Sequence, residues 1–185
     1  MVQYQVTKQL IRVIGSGVDI PLTDRGGKPM KIVILGCGRV GAMLASMMHN
    51  AGHTASIIDQ SSDSFQRLDP QFSGQTVIGN GVDEDVLIRA GIKDADAFAA
   101  VTNGDNRNIM ASEIAKEIFK VNKVVCRIYA PIRQSTYREL GLEGLCPTAT
   151  GAHMLFNAIL GNKPPAKEAI PSDISGQARL DKTNT

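Results

Sequence analysis

The sequence of 185 residues contains no tryptophan, and aromatic residues make up only 4% of it. Its formal net charge is +2, and its basic residues form no run with interleaved aromatic residues. Proteins that bind nucleic acid usually present a basic patch, and those that bind single strands also present aromatic rings on which bases stack. The composition therefore argues against a nucleic-acid partner.

Long hydrophobic runs are also missing. Hydrophobic residues make up 43% of the chain, enough for a packed core, but no segment approaches the ~18 consecutive apolar residues of a membrane-spanning helix. The first residues lack the charged-then-apolar pattern of a signal peptide. We therefore expect a cytoplasmic protein with no direct membrane insertion.

Cysteines are few and far apart: Cys37, Cys126 and Cys146. No C-x-x-C pair or Cys/His cluster indicates a zinc site. Cys126 and Cys146 stand in apolar, strand-like contexts and are expected to be buried small hydrophobic residues. Cys37 is expected at a helix N-terminus, where the pKa of a thiol tends to fall. It either has a redox role or fills the middle position of a glycine motif.

Motifs of known catalytic chemistry are absent. The sequence contains no H-E-x-x-H, G-x-S-x-G or P-loop lysine. Its three histidines, His49, His53 and His153, are expected to be structural or exposed. We therefore predict no catalytic residues, no metal site and no enzyme activity.

The most informative feature that is present is an apolar run that enters a G-x-G-x-x-G motif, residues 31–41. Gly36 permits a tight turn, Gly38 lets the backbone approach a pyrophosphate, and Gly41 lets helix and strand pack closely. The phosphates then face free N–H groups at the positive end of the helix dipole. Asp59 ends the next apolar strand, near the ~20-residue spacing of an acid that binds ribose hydroxyls. This order of features predicts a nucleotide site.

Strand and helix signals alternate from Lys31 onward, which is typical of a parallel α/β sheet. We predict a Rossmann-like, doubly wound parallel sheet of about six strands, with helices on both faces. The predicted strands are 31–35, 54–59, 75–78, 97–101, 123–128 and a short one near Leu145. The predicted helices are 40–51, a short one that starts at Ser61 and stops before Pro70, 83–90, 105–120, 131–140 and 149–160.

The chain is expected to have three regions. Residues 1–29 are an N-terminal extension, residues 30–160 are the Rossmann nucleotide-binding domain, and residues 161–185 are a flexible C-terminal tail. The extension is expected to form a helix or hairpin docked on the domain, or an arm used in oligomerisation. The last helix is apolar on most faces, so it is either a well-buried terminal helix or one that packs on another subunit or domain.

Ligands bind to such a sheet at the carboxyl ends of its strands. The residues expected to bind the ligand there are Gly36, Cys37, Gly38, Arg39, Val40, Gly41, Asp59, Gln60, Asn80, Gly81, Thr102 and Asn103. Arg39 is either a phosphate ligand or a solvated surface arginine. Asn80 and Asn103 suit an adenine edge or a ribose, but turn chemistry alone also favours asparagine there. Asp105 is expected to cap a helix or to contact the ligand.

Asp59 also bears on the identity of the nucleotide. A carboxylate at this position repels a 2′-phosphate, and no arginine or lysine follows it until Arg67. NADP is therefore disfavoured relative to NAD(H) and ATP/ADP. The motif does not separate NAD(H) from ATP/ADP, because both present the same adenosine diphosphate half.

Residues 30–160 resemble the N-terminal nucleotide-binding domain of TrkA/KtrA-type potassium-uptake regulators, also called the RCK, KTN or TrkA-N domain. The resemblance rests on the stretches 30–41, 77–91, 99–108 and 124–129 and on the strand that ends in Asp59. It implies a cytosolic, nucleotide-responsive regulatory subunit that assembles as homodimers or higher rings. It also implies that this subunit gates a membrane potassium transporter or channel and lies at the inner face of the membrane through that partner.

Two departures from the family pattern concern assembly. Residues 1–29 are an unexpected extension, and the residues after Leu160 are too few for the second, C-terminal ligand-binding domain that members usually carry. Whether another chain supplies that domain stays open. Two other functions also stay open: a small NAD-dependent oxidoreductase, and an adenine-nucleotide sensor that acts on another partner.

Overall fold

The computed structural model describes residues 4–7, 10–13, 18–21, 28–133, 137 and 142–161. The strands are β1 (Tyr4–Thr7), β2 (Leu10–Val13), β3 (Val18–Pro21), β4 (Lys31–Leu35), β5 (Thr54–Asp59), β6 (Gln75–Ile78), β7 (Ala97–Ala100), β8 (Lys123–Arg127) and β9 (Glu143–Leu145). The α-helices with defined bounds are α1 (Arg39–Asn50), α2 (Glu84–Arg89), α3 (Asp105–Glu113) and α4 (Pro147–Ile159). Turns of 3-10 helix cover Ser62–Arg67 and Ile92–Asp94, and a π-turn, Ile114–Ile118, extends α3. Within this described part of the chain, no helix is long and apolar enough to cross a membrane.

Six strands form one parallel sheet in the order β6-β5-β4-β7-β8-β9. This is the strand order of Rossmann folds that bind dinucleotides. The winding direction reverses between β4 and β7, and a crevice opens at such a point beyond the carboxyl ends of the strands. The predicted fold class is confirmed, and the candidate site lies in this crevice.

Strand β4 is buried on both faces of the sheet. Leu35 lies in one apolar cluster with Leu87 of α2, and Ile34 lies in a second cluster with Ala45 of α1. Successive side chains of a strand point to opposite faces, so the two clusters flank the sheet. The prediction of helices on both faces is confirmed.

The described part of the N-terminal extension is a separate antiparallel sheet, β1-β2-β3. Tyr4 pairs with Val13, and Val13 also pairs with Val18. The helix alternative for these residues is therefore wrong, and the hairpin alternative misses a third strand. The oligomerisation arm stays a prediction.

Several element bounds follow the sequence closely. The predicted strands 54–59 and 75–78 coincide with β5 and β6. Helix α2 begins after Asp83, whose carboxylate accepts the N–H of Asp85 at 3.0 Å, and the chain turns at Gly91 with φ of +85°. These local signals are confirmed. They could be predicted because the residues involved are near neighbours in the chain.

The expectation that Asp105 caps α3 is wrong. The N-cap is Gly104, and the Asp105 carboxylate instead accepts the N–H groups of Tyr129 at 2.7 Å and Ala130 at 3.1 Å. Asp105 therefore ties the start of α3 to the segment after β8. Sequence reasoning missed this role because the partners lie more than 20 residues away.

Helix α4 begins at Pro147, earlier than expected, and none of its residues is buried. The alternative of a well-buried terminal helix is therefore wrong for the part of the chain that the structure describes. Residues 134–136 and 138–140 of the predicted helix 131–140 lie outside the described residues. The predicted tail beyond residue 161 lies outside them too.

Candidate functional site

The glycine loop joins β4 to α1 and has three different glycine environments. Gly36 has φ of +103°, which favours glycine, and its N–H donates to the carbonyl of Ile58 at 2.7 Å. A Cβ on Gly41 would overlap the carbonyl oxygen of Gly36, whereas a Cβ on Gly38 would meet nothing within 4 Å. Gly36 and Gly41 therefore serve the turn and the helix–strand packing as predicted. Gly38 faces open space.

Asp59 ends β5 directly beside this loop. One carboxylate oxygen accepts the N–H of Cys37 at 2.7 Å, and the other accepts the N–H of Ser61 at 3.0 Å. The acid therefore joins the middle of the glycine loop to the turn that follows β5. Sequence spacing predicted this proximity. It arises because β4 and β5 are adjacent and parallel, so their carboxyl ends lie side by side.

Cys37 turns its side chain into the protein and away from the crevice. The side chain is fully buried, and its thiol donates to the carbonyl of Ser64 at 3.3 Å. Burial, followed by the negative charge of Asp59, raises the pKa of the thiol to about 11, although the positive charge of Arg67 opposes the shift. The expected fall in this pKa is therefore wrong, because burial and the nearby carboxylate outweigh the helix N-terminus. Cys126 and Cys146 are buried, as predicted.

A cleft of about 440 Å³ lies at the carboxyl ends of the central strands. The predicted residues that line it are Gly36, Gly38, Arg39, Asp59, Gln60, Gly81, Thr102 and Asn103. The structure thus brings these residues together from four separate segments of the chain. Their contact with a ligand stays a prediction.

Four predicted site residues do not line the cleft: Cys37, Val40, Gly41 and Asn80. Val40 is exposed on α1, and Gly41 is buried where the helix packs on the loop. Asn80 is exposed, and its backbone carbonyl accepts the N–H of Asp83 at 3.0 Å. Asn80 therefore takes part in a turn through its backbone, and its contact with a ligand stays a prediction. For Cys37, backbone geometry explains the motif position, since its N–H binds Asp59.

Sequence reasoning missed several lining residues, and three of them are arginines: Arg67, Arg107 and Arg127. Arg127 is the last residue of β8, so the rule that ligands bind at carboxyl strand ends was enough to find it. Arg107 lies in the first turn of α3. Arg67 closes the 3-10 turn after β5 and donates to the carbonyl of Ser64 at 3.4 Å.

The cleft therefore has a strongly positive wall. Four arginines line it, and Asp59 is the single acidic residue among the lining residues; the arginines are Arg39, Arg67, Arg107 and Arg127. Within the described residues, salt bridges join Lys116 and Lys120 to Glu117, and none involves these four arginines. Guanidinium groups without a carboxylate partner favour an anionic ligand that carries phosphate.

Comparisons with known proteins find a matching family profile and several relatives. A family profile described as the TrkA-N domain matches residues 32–146. The Trk system potassium uptake protein TrkA of Streptomyces coelicolor is 42% identical over 156 residues, which cover 84% of this chain and 69% of that protein. A TrkA homolog of Pyrococcus abyssi is 35% identical over 111 residues, 60% of this chain. The chain spans only 49% of the length of that archaeal protein.

Solved structures share the fold at lower identity. The TrkA-N domain of the inner membrane protein YbaL of Escherichia coli has a TM-score of 0.63 and 15% identity over 71% of this chain and 98% of that one. The Kef C-terminal domain of Shewanella denitrificans in its AMP-bound form has a TM-score of 0.60 and 24% identity, over 72% and 83%. The GsuK channel bound to NAD has a TM-score of 0.55 and 17% identity, over 67% and 22%.

Proposed function

Because the chain belongs to the TrkA-N domain family, we propose that it is a nucleotide-binding regulatory module that gates a membrane potassium transporter or channel. The ligand is NAD(H) or ATP/ADP. The relatives named as Trk system potassium uptake proteins support the transport role. Since the chain spans only part of their length, the partner and the gating are carried over as parts of this proposal.

One observation carries the nucleotide site: the carboxylate of Asp59 lies within hydrogen-bond distance of the glycine loop in a cleft with four arginines. Asp59 accepts hydrogen bonds from the ribose hydroxyls. The phosphates lie over Gly38, against the N-terminus of α1, where free N–H groups and the helix dipole favour negative charge. The arginines neutralise the remaining phosphate charge.

The class of nucleotide follows from the same residues. Neighbouring folds include proteins whose structures hold AMP and NAD, which supports a ligand with an adenosine half. Arg67 lines the same cleft as Asp59, but in this proposal the Asp59 carboxylate occupies the ribose position and repels a 2′-phosphate. NADP is therefore disfavoured in this proposal, as it was on sequence spacing.

The module is proposed to bind without catalysing a reaction. It acts from the cytoplasmic side, at the inner face of the membrane through its partner. Helix α4 exposes Phe156 and Ile159 to solvent at 59% and 82%. An apolar face of this kind fits contact with a second copy in a homodimer or larger ring.

The binding proposal is tested on the purified chain in two steps. Mass spectrometry after denaturation identifies any nucleotide that co-purifies, and calorimetry then compares ADP, ATP, NAD, NADH and NADPH. Binding of an adenosine diphosphate compound without NADPH preference is expected. Absence of binding to all five would refute the site.

Two further assays separate the alternatives. Turnover of NADH with a small carbonyl substrate would favour the oxidoreductase and contradict the binding module. In the source cell, deletion of the gene is expected to lower potassium uptake at low external potassium. Unchanged uptake would favour a nucleotide sensor that acts on another partner.

A further inference from the structure

Asn108 is a fully buried polar side chain in the first turns of α3. Its Oδ1 accepts the backbone N–H of Thr102 at 2.9 Å and the Thr102 hydroxyl at 2.7 Å. Its Nδ2 donates to the carbonyls of Thr102 at 3.1 Å and Arg127 at 2.8 Å. A backbone N–H only donates, so the atom that faces it must be the amide oxygen. Asn108 thus uses both donors and both lone pairs of its amide.

These bonds join two strand ends that meet at the cleft. Thr102 follows β7, and Arg127 is the last residue of β8. Burial of an amide costs free energy unless its hydrogen bonds are satisfied, so the arrangement of Asn108 with its four partner atoms is strongly specified. The carbonyl of Arg127 is therefore held at a fixed distance from the backbone of Thr102.

The side chain of Arg127 is held by Thr102 and by Tyr129. Its guanidinium donates to the carbonyl of Thr102 at 2.6 Å and lies over the ring of Tyr129, 4.4 Å from the ring centre. Its Nε is buried and has no hydrogen-bond partner among the described residues. Arg127 is also one of the residues that line the cleft. Asn108 itself does not line the cleft, so it acts on a ligand only through these neighbours.

We propose that Asn108 is a positioning residue that holds Arg127 in the orientation in which its guanidinium meets the phosphates of the bound nucleotide. This inference rests on the proposed nucleotide site. A guanidinium fork binds phosphate well only when its plane is oriented, and a side chain that is already ordered loses less entropy when the ligand arrives. Asn108 supplies that order from outside the cleft.

The test compares ADP with adenosine, which lacks phosphate, on purified wild-type and variant chains by calorimetry. The variants are Asn108→Ala, Arg127→Gln and the double substitution. Asn106→Ala is the matched control, because Asn106 lies on the same helix turn but is exposed, and its side chain accepts a hydrogen bond from Arg133 at 3.1 Å and from no other described residue. Thermal melting checks the fold of each variant.

We expect Asn108→Ala to weaken the affinity for ADP by about tenfold, while the affinity for adenosine changes by less than about twofold. The double variant should bind ADP no worse than Arg127→Gln alone, because both substitutions remove one interaction. Asn106→Ala should bind ADP like the wild type. If Asn108→Ala does not fold, Asn108→Ser, which keeps a hydroxyl donor and acceptor, is measured instead with the same expectation.

Three results would overturn the inference. An equal loss of ADP and adenosine affinity would show that Asn108 supports the fold of the whole cleft and not the phosphate contact. Additive losses in the double variant would show that Asn108 and Arg127 act independently. If wild-type chain binds neither ADP nor adenosine, the proposed site itself fails, and that outcome is distinct because it appears before any variant is made.

Discussion

The carboxylate of Asp59 accepts the backbone N–H of Cys37 at 2.7 Å, so the acid that ends β5 is bonded to the middle of the glycine loop. A carboxylate offers about four lone-pair positions, and Cys37 and Ser61 use two of them. The remaining positions suit two ribose hydroxyls. The proposed ribose and phosphate positions are therefore aligned before a ligand arrives.

Replacement of Asp59 by alanine is expected to weaken ADP binding. Each ribose hydrogen bond to a charged acceptor contributes about 1.5–3 kcal/mol before water compensates for its loss. Calorimetry with ADP measures the change. Unaltered affinity would contradict the ribose assignment.

Asp69→Ala is the matched control for Asp59→Ala. The Asp69 carboxylate accepts the N–H of Gln71 at 2.8 Å, the same two-residue turn that Asp59 makes with Ser61, but it does not line the cleft. Loss of ADP affinity in both variants would mean that the effect comes from turn stability and not from the ribose.

Substitutions at Gly38 and Gly41 are expected to separate binding from folding. A Cβ at Gly38 meets no atom within 4 Å apart from its chain neighbours, so we expect Gly38→Val to melt like the wild type but to occupy the space of the pyrophosphate. A Cβ at Gly41 overlaps the carbonyl of Gly36, so Gly41→Ala should lower the melting temperature. Thermal melting and ADP calorimetry measure both effects. Retained binding in folded Gly38→Val would refute the ligand pose.

The stability of the protein is expected to fall at alkaline pH partly through Cys37. Its pKa is raised to about 11 from an ordinary value of 9.0, so the folded state keeps a proton that the unfolded state releases. The contribution is fully present below pH 9.0 and is lost as the pH rises towards about 11.

Urea unfolding at about pH 8 and about pH 10 tests this dependence on Cys37. Burial also raises the pKa of Cys126, so the comparison is between Cys126→Ala and the Cys37→Ala, Cys126→Ala double variant. The free energy of unfolding should fall more with rising pH in the Cys126→Ala variant, which keeps Cys37, than in the double variant. An identical fall in both would show that Cys37 does not carry the effect.

Disruption of the exposed face of α4 is expected to dissociate the proposed homodimer. Phe156 and Ile159 are both exposed, and two aspartates there would place charge in an apolar contact. Light scattering compares the wild type with the Phe156→Asp, Ile159→Asp variant and with His153→Asp, an exposed polar position on the same helix. A monomeric wild type would defeat the assembly proposal. A folded variant that stays dimeric would move the interface elsewhere, with residues 1–29 as the next candidate.

The sequence by itself determined the parallel sheet, the helices on both faces and the position of the glycine loop beside Asp59. These features depend on hydrophobic periodicity, on cap and turn residues, and on the spacing between neighbouring elements. Each of these signals acts between residues close in the chain or between strands whose adjacency the fold class already implies. The bounds of β5 and β6 could be read directly for this reason.

Only the tertiary structure decided which charged and polar side chains meet. Arg107 and Arg127 enter the cleft, Asp105 bonds to the segment after β8, and Asn108 binds two strand ends at once. The burial that raises the pKa of Cys37 is likewise invisible in its local motif. The contacts of Asn108 with Arg127 and of Asp105 with Tyr129 join residues 19 or more positions apart. Such contacts depend on strand register, on where α3 packs and on which side chains are removed from water. A periodic pattern carries none of that information, because it specifies the face on which a residue lies and not the atom that it meets.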